Sequence, residues 1–210
     1  MKNATKYAET LKSFCRKLTR DREAPPKESQ DALQVLVRAA MSYDVSDHKA
    51  DEAMKAIERE FVDLNEFRVA TELEVQELLG QRYPKIEERV TMITKALNNI
   101  FEREHTLSLN RLKEISRRDA RQFLRELPDI HPFVEAYVMM YGFDGHTFPI
   151  DDAMLDMLRE EEIVEEDTSL LDAQKFVEHH LKDVECYKLY LAMRQVAYEE
   201  RRTTKKKSKA

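Results

Sequence analysis

The chain has 210 residues, of which 36% are charged and 42% hydrophobic, with a formal net charge of −6. Three glycines and two cysteines are too few for glycine-built phosphate loops, a disulfide framework or a cysteine-held zinc or iron–sulfur cluster, so no metal or cofactor is expected. No apolar run approaches the roughly 18 residues that span a bilayer. The opening MKNATKYAETLKSFCRK has no uninterrupted apolar stretch, so no secretory leader is expected and the cytoplasm is the expected address.

Helical punctuation then recurs along the chain. An amphipathic segment covers about residues 4–18 and ends before the proline-bearing TRDREAPPKES. A second helix is predicted from about Ser29, with Leu33, Val35, Leu36 and Ala40 as its stripe. Ser46 precedes a third, in which Ala50, Met54, Ile57 and Phe61 recur at helical spacing. Thr71 and Glu74 form a capping-box pattern ahead of a short helix that stops at Gly80.

Pro84 is expected to open a long helix through Phe101, with Ile86, Val90, Ile93, Leu97 and Ile100 on one face. Ser116 caps RRDARQFLREL, which Leu127-Pro128 ends. Helices are further predicted over about 132–141, from Asp151 or Asp152, over about 170–181 and over about 184–199. No segment sustains a period-2 alternation, so the expected class is all-α with around ten helices.

Charge is unevenly spread. The last ten residues, RRTTKKKSKA, hold six Lys or Arg; without them 29 basic residues face 41 acidic ones, a net charge of −12. Such a body repels polyphosphate at long range. Weak attraction to duplex DNA is therefore expected chiefly from the tail, through Lys205, Lys206 and Lys207 among others. Residues 201–210 are expected to be disordered, because they lack anything to bury.

The stretch RQFLRELPDIHPFVEAYVMMYGFDGHTFPIDDAMLDML, residues 121–158, resembles the endonuclease III, or helix-hairpin-helix, family of DNA glycosylases. Leu127-Pro128 stands at the family's hairpin, and Asp151 falls where its catalytic aspartate belongs, with no gap between. Blocks at LVRAAMSYDVSDHKADEAMKAI and LNEFRVATELEVQELLGQRYPKIEERVTMITKAL extend the resemblance over about residues 30–195. It implies a two-lobed helical domain over residues 1–200. One lobe would span about 29–130, the other 1–28 with 131–200, and the family's cluster loop is missing.

The resemblance also implies what has changed. Asp129 and His131 stand for the hairpin's two glycines, with Ile130 between them as the remaining hairpin contact to DNA. A carboxylate and the following Pro132 weaken a loop that otherwise offers backbone N–H groups to phosphate. Phe133 falls at the catalytic lysine and cannot form a Schiff base, so lysine-dependent strand cleavage is excluded. Met41 falls at the residue that fills the gap left by a flipped base, where it would act as an apolar wedge.

Asp151 carries two compatible readings: stabilising charge on the deoxyribose while activating water, or capping the helix that follows. Its surroundings decide between two functions. A basic groove beside it points to a monofunctional glycosylase using Asp151 and water. A filled or acidic one points to a non-catalytic relative serving as an interaction module. His131 and His146 are expected as polar surface residues, and Glu178, His179, His180 and Asp183 as incidental surface groups.

Overall fold

The structure, a computed structural model, describes residues 4–200 and contains eleven α-helices and no strand among them. The basic run at 201–210, with Lys205, Lys206 and Lys207, lies outside the described residues. Helix α1 (Ala4–Thr19) buries Leu11, Phe14 and Cys15, one side of its amphipathic pattern, and ends with Arg16 and Lys17 in its last turn. It packs on the C-terminal helices α10 and α11 introduced below, so the two ends of the described chain meet.

The proline-bearing link at residues 20–31 stays irregular but is tied down. Lys27 pairs with Asp144 at 2.7 Å and Asp183 at 3.0 Å, and the Gln30 N–H donates to the Tyr141 carbonyl at 2.9 Å. Helix α2 (Ala32–Ser42) starts three residues later than expected from Ser29. The Asp31 carboxylate, accepting from the N–H groups of Leu33 and Gln34, supplies the cap. Nearly every residue of α2 is buried, and it is the central helix of the fold.

Helices α3 (Asp47–Glu60), α4 (Leu64–Val69) and α5 (Glu72–Leu79) follow, capped by Ser46, Asp63 and the Thr71–Glu74 box respectively. Short α4 was not expected: six residues with two buried anchors, Leu64 and Phe67, give too little period to read. Gly80 ends α5 at φ +82°, a conformation that costs glycine little.

The long helix α6 (Ile86–Glu104) begins two residues after Pro84, not at it, because Lys85 adopts a left-handed φ of +52° and closes a turn first. Its predicted stripe is wholly inside. Helices α7 (Arg117–Arg125) and α8 (Pro132–Gly142) flank the hairpin, and α9 (Asp152–Glu160), α10 (Leu170–His180) and α11 (Asp183–Gln195) complete the bundle. The last predicted helix stops at Gln195 and gives way to one π-helical turn, Val196–Glu200.

The most extensive helix contact joins α2 to α8. It depends on close approach: a Cβ on Gly142 would lie 2.8 Å from the Cβ of Ala32 and 3.0 Å from its Cα. The Met and aromatic series Phe133, Tyr137, Met140 and Tyr141 is core, as its spacing predicts. No described helix is long and apolar enough to cross a membrane.

Candidate active site

Asp151 is the N-cap of α9 and is fully buried, at 0% exposure. One carboxylate oxygen accepts from the Met154 N–H at 3.1 Å, the capping bond. The other accepts from the Asp44 N–H at 3.1 Å, Arg194 Nη1 at 2.9 Å and the Tyr198 hydroxyl at 2.7 Å. The donors are unevenly shared: three crowd one oxygen, while the other accepts only the capping bond. Burial raises the Asp151 carboxyl above its usual range, against the pull of Arg194, Tyr198 and the Met154 N–H.

Arg194 is itself 2% exposed. Beyond Asp151 it donates to Asp47 at 2.6 Å and to the Val45 carbonyl at 2.8 Å, while its Nε finds no partner among the described residues. Burial alone would lower the guanidinium's pKa; Tyr190, Asp47 and Asp151 outweigh it and hold the group cationic. The phenol of Tyr198 lies against the same cation, 4.4 Å from ring centroid to Cζ. The centre therefore joins the α2–α3 loop, the start of α9 and the C-terminal turn.

Beside it lies an aromatic cluster. Phe133 is 0% exposed and packs among Tyr43, Tyr137 and Tyr190, with ring centroids at 6.4, 5.6 and 6.4 Å. Met41 is also 0% exposed; its side chain fills core rather than standing at a face, and its carbonyl accepts from the Tyr83 hydroxyl at 2.7 Å. Fully buried Arg89 caps this side, donating to the carbonyls of Pro84, Ala40 and Tyr43 and lying 3.7 Å over the Tyr43 ring.

The hairpin keeps a glycine-like backbone without the glycine. Asp129 adopts φ +56°, a left-handed conformation that Asp tolerates better than most residues, and its carboxylate pairs with Lys95 at 2.7 Å. Three of the hairpin's backbone donors are spent within the protein. The Ile130 N–H bonds the Leu127 carbonyl at 3.4 Å, the His131 N–H meets Met92 Sδ at 3.4 Å, and the Phe133 N–H donates to His131 Nδ1 at 3.1 Å.

His131 is no ordinary surface residue. It is half-buried and stacks on Tyr43, centroids 4.4 Å apart and planes 3° from parallel. Burial, with help from Lys85 and Arg89, pushes its pKa below the usual value, which keeps the ring neutral and Nδ1 free to accept. The recess in front of the hairpin, about 440 Å³, is lined by Tyr43, Thr91, Met92 and His131 together with Glu87, Glu88 and Asp129. Every group lining it that carries full charge is a carboxylate.

A second polar network lies behind the hairpin. Arg121 of α7 donates through Nε to Glu135 at 2.6 Å and grips Glu178 with both terminal nitrogens, at 3.0 and 2.9 Å. Glu178 also accepts from the Thr147 hydroxyl, the Phe148 N–H and Gln174. Far from incidental, Glu178 joins α10 to α7 and to the loop before Asp151. No cluster of three or more His, Cys, Asp or Glu suited to a metal ion occurs among the described residues. Cys15 and Cys186 are buried, and burial raises both thiols, Cys15 to about 11.

Sequence reasoning located Asp151 but not Arg194, Tyr198 or Arg89. Their signal was present: Arg194 follows Tyr187 and Tyr190 at helical spacing, and Arg89 sits beside Ile86 and Val90. A charged residue on an apolar stripe is one that burial obliges to find partners.

This geometry is that of a helix-hairpin-helix DNA glycosylase fold. No family model and no curated protein sequence matches the chain. Solved structures do. The chain is similar to Clostridium acetobutylicum 8-oxoguanine glycosylase/lyase in complex with DNA containing cytosine opposite 8-oxoG, at 15% identity and TM-score 0.69, covering 90% of this chain and 69% of that one. It is similar to endonuclease III in a trapped covalent intermediate with DNA, at 13% identity and TM-score 0.67, covering 92% and 85%. It is also similar to H. pylori 3-methyladenine DNA glycosylase bound to 1,N6-ethenoadenine, at 13% identity and TM-score 0.63, covering 95% and 98%. At such identities the likeness establishes the fold, and a divergent one.

Proposed function

We propose that this chain is a non-catalytic protein of the glycosylase fold, an interaction module in which the reaction centre has become a structural ion network. The observation that carries this reading is the enclosure of Asp151: a fully buried carboxylate held by four donors, one of them a cationic guanidinium. Stabilising charge on a sugar requires an unscreened carboxylate aimed at open space. Here the negative charge is already neutralised, and the neighbouring volume is occupied by Phe133 and its aromatic shell. The carboxylate-lined recess before the hairpin adds electrostatic repulsion where a duplex would lie.

A second reading rests on Asp151 holding the helix-start position that the family resemblance assigns to the reacting carboxylate. It makes the chain a monofunctional glycosylase acting with water, and it requires Tyr198 and Arg194 to withdraw as DNA binds. Incubation with duplexes carrying alkylated, oxidised and deaminated bases separates the two. The module releases no base, and the wild type and Asp151→Asn are alike. Base release by the wild type, lost in Asp151→Asn, overturns the module reading.

Contact with DNA, in this reading, is weak and runs through the tail. Six Lys or Arg in residues 201–210 give a log–log salt slope near −5 at about 0.9 counterions per phosphate contact. Removing residues 201–210 is expected to abolish most duplex binding and flatten that slope. Undiminished binding by the shortened chain, measured by anisotropy across a salt series, would establish a folded basic groove instead.

A further inference from the structure

Of the four large aliphatic side chains more than half exposed among the described residues, three fall close together in sequence and the fourth, Val184, lies apart in α11. Val62 is 93% exposed, Val69 67% and Leu73 62%, in a molecule whose other apolar residues are mostly inside. Val69 lines a groove of about 550 Å³ between the end of α3, α4 and α5, and Val62 and Leu73 are chain neighbours of its lining residues Phe61 and Glu74. Phe61, Val69, Ala70 and Leu78 give it an apolar lining, and every charged residue that lines it is a glutamate: Glu60, Glu66, Glu74 and Glu77.

The rim is ordered before any partner arrives. Glu66 accepts from the Val62 N–H at 2.6 Å, and Glu74 accepts from the Thr71 N–H and hydroxyl at 2.8 Å. The nearest base on α4, Arg68, is turned away, donating to Asn98 at 2.8 Å and lying 4.2 Å over the Phe101 ring. Val69 stands one turn beyond Glu66 on α4, and Leu73 one turn before Glu77 on α5, so apolar and acidic groups share each helix face.

We infer that this groove docks a Lys- or Arg-rich segment of a partner protein that carries aliphatic anchors. The anchors enter between Val69 and Leu78, and the flanking cations meet the four glutamates. Phosphate-bearing ligands and anionic lipid surfaces are repelled by the same rim. The chain's own tail is not the occupant, because RRTTKKKSKA has the charge and no aliphatic anchor larger than alanine. This names a partner class for the module and rests on that reading. The base-release assay and the binding assay below address different sites, so either can fail alone.

The test uses the full chain and a labelled model peptide with Leu and Lys at helical spacing, beside one with Ser for Leu and one with Glu for Lys. The expected result is saturable binding of the Leu/Lys peptide alone, weakened about tenfold or more by Val69→Ser with Leu73→Ser and by Glu77→Lys. All three substitutions are at exposed positions, and circular dichroism verifies that the fold persists. Equal affinity in both variants overturns the proposal. So does equal binding of the Ser/Lys peptide, which would reduce the effect to general attraction toward an acidic body.

Discussion

Two networks centred on arginine join distant parts of this chain, one half-buried behind the hairpin and one fully buried at the start of α9. Behind the hairpin, Arg121 spends Nε and both terminal nitrogens on carboxylates, and Glu178 gathers Arg121, Thr147, Gln174 and a backbone N–H. At the centre, Arg194 meets Asp151, Asp47 and one carbonyl but leaves Nε buried without a partner. Each network leaves one buried polar atom without a partner among the described residues, Nε of Arg194 at the centre and Oε1 of Gln174 behind the hairpin. The difference between them is depth: Arg194 is 2% exposed and Arg121 only half-buried. The rear network is a staple between α7, α8 and α10. The central one ties the α2–α3 loop and the start of α9 to the C-terminal turn around a buried ion pair.

The comparison can be broken most forcefully at its arginines. Arg194→Ala strands Asp151 in the core, and removing one partner of a buried pair typically costs about 3–5 kcal/mol. Denaturant unfolding of that variant should show a loss of this size. Parity with a surface Lys→Ala variant would mean that Asp151 is content when neutral and that the centre is not an ion network.

A smaller and pH-dependent effect sharpens the contrast. Burial works to raise Glu178, but Arg121, Gln174 and Thr147 together hold its carboxyl below the ordinary 4.5. A depressed carboxyl contributes stability that is present above its unfolded pKa and is lost as pH falls through the folded value. Unfolding free energy should therefore drop as pH is lowered below about 4.5, and Glu178→Gln should flatten that limb at a cost of about 1.5–3 kcal/mol at neutral pH. Glu135, which burial raises, titrates with the opposite sign and leaves the net slope below that of Glu178 alone. An acid limb identical in wild type and variant would remove Glu178 from the staple.

Legibility in the sequence followed the range of the interactions. Ser46, Thr71, Ser116 and Asp151 were readable as caps because a cap is settled within four residues. The start of α6 was misplaced because Lys85 takes a left-handed backbone that lysine does not advertise. The resemblance located Asp151, yet its state depends on Arg194 and Tyr198, 43 and 47 residues further along the chain. His131 shows the same limit: its stacking on Tyr43 joins the hairpin to the loop after α2, and no local pattern announces it.

The contact between Gly142 and Ala32 ties two distant positions in the chain's history. A methyl at 142 would meet the Ala32 methyl at 2.8 Å, and the α2–α8 contact on which the fold is centred has no slack to absorb it. A side chain at 142 is barred even if position 32 gives up its methyl, because the Ala32 Cα would still lie 3.0 Å away. Change at position 142 therefore waits on a shift of the helix backbones, and relatives that share this helix crossing should keep glycine there.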